Sequence, residues 1–245
     1  MRETVRTVTY AVLIAVVVRT FLYEPFNIPS GSMKPTLLVG DYLFVSKFAY
    51  GYSRHSLPFS PPIGGGRLFG SLPERGDVAV FKLPTNNKTD YIKRIVGLPG
   101  DRIQVRGGIL YVNDVEVPRT PLDDFLDDDN SSVNAIKRFK ETMPSFGGEQ
   151  DQSSVSYEVL DWKADGRGEF DNTEVFQVPE DHVFAMGDNR DNSLDSRAKV
   201  GFVPTENLVG RAEIIFFSTN GSARFWEIWK WPTTIRYGRL LNLID

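Results

Sequence analysis

The sequence predicts a mainly β protein: an antiparallel β core with an inserted accessory β-rich subdomain, preceded by one N-terminal transmembrane helix. Three observations support this fold class. Short runs of β-branched and aromatic residues recur between turn residues, helical periodicity is scarce beyond the N-terminal segment, and that segment is strongly apolar. With 245 residues, 41% of them hydrophobic and 24% charged, the chain can bury a substantial core.

The N-terminal segment predicts an uncleaved membrane anchor. Residues 8–18 are apolar except for Thr9, but a bilayer span needs about 20 residues. The predicted span therefore covers residues 5–23, with the long Arg19 side chain extending toward the far headgroups. A cleavable signal peptide is the alternative, but residues 19–23 contain no small-x-small cleavage site.

Charge flanking the span predicts its orientation. Arg2, Arg6 and the α-amine precede it, which favours a cytoplasmic N-terminus. No later stretch is long and apolar enough to cross again. We therefore expect a single-pass protein of the inner (cell) membrane whose body lies on the periplasmic or outer face.

Composition excludes several function classes. The net charge of −4 and pI near 5.4 provide no broad basic surface, and no nucleic-acid-binding motif occurs, so we expect no nucleic-acid partner. The absence of cysteine excludes disulfides, thiolate metal sites and a cysteine nucleophile. A calcium loop starting at Asp188 is disfavoured because its sixth position is Ser193 and its twelfth is Lys199.

The predicted strands lie between turn signals along the chain. Asn113 and Asp114 suit the positive φ angles of a tight hairpin turn. Residues 52–76 are rich in proline and glycine and predict a long surface loop. The predicted strands cover residues 42–45, 77–81, 91–96, 109–112, 174–178, 182–186 and 212–217.

We divide the chain on this basis into a tip and anchor (1–24), a β core (25–118 and 173–223), an accessory subdomain (119–172) and an aromatic, basic membrane-proximal segment (224–245). The accessory block is polar and contains a cluster of aspartates. Such a cluster can bind a divalent cation, but a solvated loop is the favoured interpretation, and we expect no metal or other cofactor. The cluster comprises Asp123, Asp124, Asp127, Asp128 and Asp129.

The C-terminal segment has two interpretations that the sequence leaves open. Tryptophans close to cations are typical of a membrane interface, where the amphipathic ring prefers headgroup depth. A buried aromatic cluster that closes the β core is the alternative. The residues concerned are Arg224, Phe225, Trp226, Trp229, Lys230, Trp231, Arg236 and Arg239.

A serine on a stiff turn follows the anchor. Pro29 and Pro35 fix φ on either side of Ser32, and Gly31 permits a bend, so this loop presents the serine on a non-helical backbone. A serine nucleophile needs a base. The two histidines, His55 and His182, lie in segments without a triad signature.

A neutral lysine can replace histidine if burial lowers its pKa from about 10.4. On a strand over residues 91–96, Lys93 shares an apolar face with Tyr91 and Ile95. An ordinary strand cation is the competing interpretation, because periodicity cannot place Lys93 beside Ser32. The lysines of the first half are Lys34, Lys47, Lys82, Lys88 and Lys93.

Four segments in order behind the anchor resemble bacterial type I signal peptidases, the leader peptidases with a serine-lysine dyad. They are residues 29–37, Gly40-Asp41-Tyr42, residues 91–101 and residues 186–197. The resemblance extends over roughly residues 20–50, 76–115 and 174–217, whereas the proline-rich loop and the acidic block carry no motif.

This resemblance implies a membrane-bound serine endopeptidase that removes signal peptides from exported preproteins after an Ala-x-Ala site. Ser32 would be the nucleophile and Lys93 the general base. The Ser32 N–H and the Ser30 hydroxyl would form the oxyanion hole, and Ser193 would orient the lysine. The expected partners are preproteins bearing signal peptides and membrane lipid, and a monomer is expected.

The same resemblance implies substrate-binding residues. Residues 26–29 can offer an edge to an extended peptide, with shallow pockets that admit alanine-sized side chains. Core packing remains a reasonable interpretation of Leu37. The implied pocket comprises Phe26, Ile28, Pro29, Met33, Leu37, Tyr91 and Ile92.

Charges of alternating sign within residues 188–197 predict an ion-paired loop that fixes a neighbouring strand. Asp188, Asp195 and Arg197 are the predicted structural support, with Arg94 as a partner for one of the aspartates.

Three other functions compete with this one. Residues 196–199 satisfy the S-x-x-K pattern of penicillin-binding proteins and β-lactamases, but no S-D-N or K-T-G follows. A self-cleaving serine-lysine repressor would need a DNA-binding region. A membrane-anchored β scaffold that binds exported chains without cleaving them would not need both Ser32 and Lys93.

Overall fold

The computed structural model describes residues 2–57, 60, 64–127, 135–147, 154–163, 166–223 and 226–244. Helix α1 (Arg2–Phe21) precedes the strands and the short helix α2 (Trp231–Thr234) lies near the C-terminus. The strands are β1 (Tyr23–Asn27), β2 (Asp41–Ser46), β3 (Val78–Lys82), β4 (Asp90–Gly97), β5 (Arg102–Arg106), β6 (Ile109–Val112), β7 (Val115–Glu116), β8 (Arg119–Pro121), β9 (Phe125–Leu126), β10 (Ala135–Met143), β11 (Val155–Asp161), β12 (Phe176–Gln177), β13 (His182–Met186), β14 (Val203–Pro204), β15 (Leu208–Ser218) and β16 (Asn242–Leu243).

Antiparallel pairing organises these strands into three sheets, and the predicted mainly β class is confirmed. The main sheet has the order β1-β2-β15-β3-β4-β13-β14, with β16 also pairing with β15. The second sheet has the order β11-β10-β8, with β9 pairing with β10, and the third has the order β12-β5-β6-β7. Strands distant in sequence thus become neighbours, as with β15 between β2 and β3.

Apolar alternation explains how these sheets pack. In β5, Ile103 and Val105 face inward while Arg102 and Arg106 are exposed, the period expected of a half-buried strand. Strand β3 lies between β15 and β4, and its residues from Val78 to Phe81 are all buried. A strand at this position is covered on both faces, and its sequence is therefore continuously apolar.

The predicted hairpin is present between β6 and β7. Asn113 and Asp114 have φ angles of 52° and 64°, which a tight two-residue turn requires. Residues 52–76 contain no strand among those described, although Tyr52 and Leu68 form an isolated bridge. Pro58, Phe59, Pro61, Pro62 and Ile63 of this predicted loop lie outside the described residues.

Helix α1 is long and apolar enough to cross a membrane, and it is the one such helix among the described residues. It begins at Arg2 and ends at Phe21, slightly earlier than the predicted span. Pro25 cannot continue a helix and lacks a backbone donor, so it fits the edge strand β1. The Tyr52 hydroxyl donates to the Phe21 carbonyl at 2.7 Å and ties the helix end to the body.

The C-terminal segment combines features of both predicted interpretations. The Trp231 ring packs against Phe217 with 4.9 Å between ring centroids, as a core-closing residue would. Arg239 donates to the Asp41 carboxylate and to the Thr36 carbonyl, so this cation docks the segment onto the body. Trp226 and Trp229, by contrast, are 64% and 71% exposed. Arg224 and Phe225 lie outside the described residues.

Truncating the core side chain Leu43 should destabilise the protein strongly. Leu43 is fully buried in a cluster with Met33 and Val45. Leu43→Ala should lower the free energy of unfolding by about 2–5 kcal/mol, because it removes buried methyl groups and leaves a cavity. Leu126→Ala is the matched control at a 59% exposed site and should change it by less than about 0.5 kcal/mol. Urea unfolding in detergent, followed by tryptophan fluorescence, measures both, and equal losses would contradict this core assignment.

Candidate active site

The loop between β1 and β2 carries Ser32 on a short 3₁₀ turn, Gly31–Met33. Hydrogen bonds at its base, from Ile28 N to Asp41 O (2.9 Å) and from Gly40 N to Ile28 O (3.1 Å), close the loop. Met33 is fully buried and draws the turn onto the core. The Ser32 side chain stays at the surface of this turn, half-buried, while the adjoining Ser30 is exposed and its hydroxyl caps no helix.

Strand β4 brings Lys93 to this serine. The Lys93 Nζ and Ser32 Oγ atoms are 2.6 Å apart, and Nζ also donates to the Ile92 carbonyl at 2.9 Å. Lys93 lies opposite Ala79 of β3. The residue is only 3% exposed, so the amine is largely withdrawn from water in hydrogen-bond contact with a hydroxyl.

Burial changes the acidity of this amine. Desolvation lowers the pKa of Lys93 to about 8, against the opposing attraction of Asp195 and Asp188. The pKa is lowered because an ammonium ion loses hydration in a low-dielectric site, whereas the neutral amine loses little. Roughly one lysine in ten is then neutral at pH 7. A neutral amine can accept the serine proton.

The four residues predicted as structural support form two buried ion pairs beside the lysine. Arg94 donates to both Asp188 oxygens at 2.9 Å, and Arg197 donates to both Asp195 oxygens at 3.0 and 2.8 Å. Burial raises the pKa of Asp195, but the Arg197 guanidinium outweighs it and leaves the pKa below its usual value. Asp195 is thus held ionised, and each aspartate is paired with its own arginine.

Asn189 contacts the serine loop twice, and the sequence prediction did not include it. Its backbone N–H donates to the Ser32 carbonyl at 3.1 Å, and its side-chain Nδ2 donates to the Gly31 carbonyl at 3.0 Å. The Trp162 Nε1 donates in turn to Asn189 Oδ1 at 2.9 Å. Asn189 lies within the segment 186–197, and its position in that family motif is the only sequence signal that could have identified it.

Ser193 does not contact the lysine as predicted. It is 5% exposed, and its hydroxyl lies close enough to the Asp195 carboxylate to help lower the pKa of that group. It packs against Gly187, where an added Cβ would also come within 2.6 Å of the Ser32 carbonyl. Gly187 therefore permits the serine loop and the Ser193 side chain to approach each other. The role of Ser193 in orienting Lys93 stays a prediction.

Residues 1–217 match the family model described as signal peptidase, peptidase S26. The chain belongs to this family. A signal peptidase I of Rickettsia typhi (strain ATCC VR-144 / Wilmington) is 43% identical over 214 residues, covering 86% of this chain and 78% of the relative. That of Rickettsia canadensis (strain McKiel) is 42% identical over 219 residues, covering 87% and 79%.

A solved signal peptidase I from Enterococcus faecalis V583 is 26% identical, covers 58% of this chain and 97% of its own, and gives a TM-score of 0.32. The family model and the two relatives, and not this weak overall likeness, establish the family. The predicted family and enzyme class are thereby confirmed: the protein is a serine peptidase that removes signal peptides. Members of this family are membrane enzymes, with which the apolar helix α1 agrees.

The residues predicted to line the pocket of this peptidase differ in exposure. Met33 and Leu37 are fully buried and Ile28 is 3% exposed, all within the same core cluster. They therefore pack behind the site and offer a peptide almost no surface. Of the predicted set, Phe26, Pro29, Tyr91 and Ile92 retain exposed surface.

The second sheet of the peptidase reaches the site at several points. Lys34, two residues after the serine, forms a 2.6 Å ion pair with Asp127 of the acidic cluster. Arg190 donates to Glu141 of β10 at 2.7 Å, and both side chains are buried. The acidic cluster is thus not simply a solvated loop, although its Asp128 and Asp129 lie outside the described residues.

One group of carboxylates has the spacing of a cation site. Single oxygens of Asp161, Asp171 and Asp191 lie within 4.8 Å of one another. Arg119 donates to Asp161 at 3.1 Å, and the backbone N–H groups of Gly168 and Trp162 donate to Asp171 and Asp191 at 2.6 and 2.8 Å. These protein donors already hold the three carboxylates in place.

Removing the Arg94 guanidinium should destabilise the peptidase far more than removing an exposed one. Arg94→Met leaves the Asp188 carboxylate buried without its ion pair and should cost about 3–5 kcal/mol. Arg102→Met is the control, because Arg102 pairs with Asp114 at a site where both side chains are half exposed. It should cost less than about 1 kcal/mol. Urea unfolding measures the difference, and a loss below 1 kcal/mol for Arg94→Met would disprove the buried pair's importance.

Proposed function

We propose that Ser32 is the nucleophile and Lys93 the general base with which this chain cleaves exported preproteins after an Ala-x-Ala site. One observation carries the proposal. A buried amine with a pKa near 8 lies 2.6 Å from a serine hydroxyl. A base must lie within hydrogen-bond reach of the proton it removes and have a pKa near the working pH, and Lys93 meets both conditions.

Acylation and deacylation then use the same pair. Neutral Lys93 accepts the Ser32 proton as Oγ attacks the scissile carbonyl, and the resulting ammonium protonates the leaving amine. Lys93 next takes a proton from the water that attacks the acyl-enzyme, and Ser32 is regenerated. Ser193 is proposed to orient Lys93 once its hydroxyl turns toward the amine.

The oxyanion of each tetrahedral intermediate needs hydrogen-bond donors that are not already used in hydrogen bonds within the protein. The Ser32 N–H precedes the first hydrogen bond of the 3₁₀ turn, from Lys34 N to Gly31 O at 3.1 Å, so the turn does not use it. The exposed Ser30 hydroxyl is the proposed second donor. Loss of one such donor typically costs about 3 kcal/mol of transition-state stabilisation.

The substrate is proposed to bind as an added strand. Strand β1 is the edge of the main sheet and leads directly to the serine loop, so an extended peptide can pair with its free side. Phe26, Pro29, Tyr91 and Ile92 have the exposed surface needed to line shallow pockets. Small pockets select alanine-sized residues at the first and third positions before the cut.

Membrane placement follows from α1. The positive N-terminus favours a cytoplasmic tip, a single pass through the inner membrane and a body on the periplasmic face. The exposed Trp226 and Trp229 side chains are proposed to lie at the headgroups. A monomer is proposed, with residues 119–172 as an accessory subdomain of the catalytic core.

The competing functions lose support on specific observations. The match over residues 1–217 assigns the chain to a family other than the penicillin-binding proteins and the β-lactamases. A non-cleaving scaffold would have no need to bury a lysine amine against a serine hydroxyl. We therefore keep one proposed function.

Removing either member of the proposed dyad should abolish cleavage. Ser32→Ala and Lys93→Ala should each lower kcat at least about 10³-fold, because they remove the attacking oxygen or its base. The measurement is cleavage of a preprotein with an Ala-x-Ala site by the full chain in detergent. Lys88→Ala, at an exposed lysine of the β3–β4 turn, should leave kcat unchanged. Cleavage by both dyad variants at the rate of the original chain would disprove the assignment of Ser32 as nucleophile and Lys93 as base.

The activity should fall on the acidic side of the pKa of Lys93 and reach a plateau on the alkaline side. The neutral amine is the active form, so kcat/KM should rise about tenfold per pH unit below the pKa of Lys93, about 8, and level off above it. Initial rates between pH 6 and 9 test this, with tryptophan fluorescence as a check that the protein stays folded. Flat rates over that interval would rule out a lysine base of this pKa.

A further inference from the structure

We propose that Asn189 is a positioning residue for the oxyanion hole, and that Trp162 of the second sheet determines which way the Asn189 amide faces. The inference rests on the proposed function, because it concerns the Ser32 N–H as oxyanion donor. It adds a residue outside the dyad and assigns the second sheet a part in the reaction. Asn189 is 1% exposed and contacts two successive carbonyls of the serine loop.

The geometry of the peptide unit connects Asn189 to the oxyanion donor. The Gly31 C=O and the Ser32 N–H belong to one trans peptide group, so they are coplanar and point in opposite directions. Asn189 Nδ2 and the Lys34 N–H donate to the Gly31 oxygen at 3.0 and 3.1 Å. Holding that oxygen from two sides fixes the plane, and the plane fixes the direction of the Ser32 N–H.

The next peptide group is held by the same residue. The Asn189 backbone N–H donates to the Ser32 carbonyl at 3.1 Å. The peptide groups on both sides of the Ser32 Cα atom are therefore anchored, and this limits rotation about φ and ψ of the nucleophile. An oxyanion hole depends on such preorganised donors, because a donor that must first rotate into place stabilises the transition state less.

Trp162 favours one of the two possible orientations of the Asn189 side-chain amide. An indole N–H can only donate, so it requires the amide oxygen on its side. The Gly31 carbonyl can only accept, so it requires the NH₂ group on the other side. The 2.9 Å bond from Trp162 Nε1 to Asn189 Oδ1 thus disfavours the flipped amide, which would place one oxygen against another.

The contact also explains how the second sheet acts on the site. Trp162 directly follows β11, and Leu160 at the end of β11 donates its N–H to the Asp188 carbonyl at 2.8 Å. Asp188 is the residue before Asn189. The end of β11 therefore runs beside the segment that carries Asn189 and delivers the indole to it.

The experiment compares Asn189→Ala and Asn189→Asp with the original chain in the preprotein assay, at the alkaline plateau where Lys93 is neutral. The aspartate keeps the size, the acceptor for Trp162 and the backbone N–H, but it replaces the donor to Gly31 with a charged oxygen, so the uncharged alanine variant is measured beside it. Both variants should lower kcat about 10- to 100-fold, below the 10²- to 10³-fold typical of losing a donor itself. KM should stay within about twofold, since ground-state binding is untouched.

Two readouts separate positioning from a general structural effect. The pH midpoint of Asn189→Ala should equal that of the original chain, because Asn189 does not contact Lys93. Asn172→Ala, which removes an exposed amide that accepts from the Gly107 N–H, should keep full kcat. An Asn189→Asp variant that is folded, by urea unfolding, and retains the original kcat would overturn the proposal.

Trp162→Phe tests the second half of the proposal and does not disturb Asn189 itself. It keeps an aromatic ring and removes the N–H, and it should lower kcat roughly fivefold, as expected for one neutral hydrogen bond. In the double variant Trp162→Phe/Asn189→Ala, kcat should equal that of Asn189→Ala alone, because Trp162 acts through Asn189. Multiplying effects would show that Trp162 acts by another route and would refute this half.

Failure of this inference is distinguishable from failure of the proposed function. If the original chain cleaves and Ser32→Ala does not, but the Asn189 variants keep full kcat, only the positioning role is wrong. If Ser32→Ala cleaves normally, Ser32 is not the nucleophile, the scissile carbonyl has no reason to lie at the Ser32 N–H, and both proposals fall together.

Discussion

The burial of the Lys93 amine is the constraint on which the rest of the site depends. An amine exposed to water keeps a pKa near 10.4 and is almost entirely protonated at neutral pH. In this chain desolvation brings the pKa to about 8, and two aspartates work against it. The site must therefore be dry enough to keep the amine neutral and still hold charged groups that shape the surrounding loops.

Pairing each aspartate with its own arginine reconciles these demands. Asp188 is neutralised by Arg94 and Asp195 by Arg197, and all four side chains are buried. Because the positive partner is close, each carboxylate attracts the Lys93 proton less than an unpaired one would. The Arg94–Asp188 pair also ties β4 to the segment 187–197, and the Arg197–Asp195 pair braces that segment internally. Electrostatic balance and loop geometry are thus provided by the same contacts, although a buried pair of this kind does not necessarily add stability over apolar residues.

Much of the main sheet could be predicted from sequence, because its strands alternate or are continuously apolar. The predicted strand at residues 182–186 has the bounds of β13, and the Asn113-Asp114 turn has the expected positive φ angles. The long strands β10 and β11 were not located within the predicted accessory block. Their buried positions include polar residues such as Glu141, whose partner Arg190 is far away in sequence, so the apolar period is obscured.

The candidate site, like the fold, could be predicted from the sequence only in part. Ser32 and Lys93 are 61 residues apart, and their contact depends on the non-sequential strand order β1-β2-β15-β3-β4. Periodicity within single segments cannot give such an order, so the pair could be proposed only through resemblance to a family. Asn189 and Trp162 escaped prediction because neither has a titratable side chain that marks chemistry. Met33 and Leu37 are fully buried, and the sequence could not show this because an apolar residue near a nucleophile looks the same in a pocket wall and in the core.

The direct passage from α1 into the main sheet has a mechanical consequence. Only Leu22 separates the helix from β1, and the Tyr52 hydroxyl clamps the helix end. A flexible linker would let a tethered body swing and sample many heights above its anchor. This junction is a single residue tied by one hydrogen bond and contains no flexible linker, so it leaves little freedom for the sheet to turn relative to the helix. With α1 placed in the membrane as proposed, the serine loop would stay at one height above the bilayer, where it would meet substrates that diffuse laterally in the same plane.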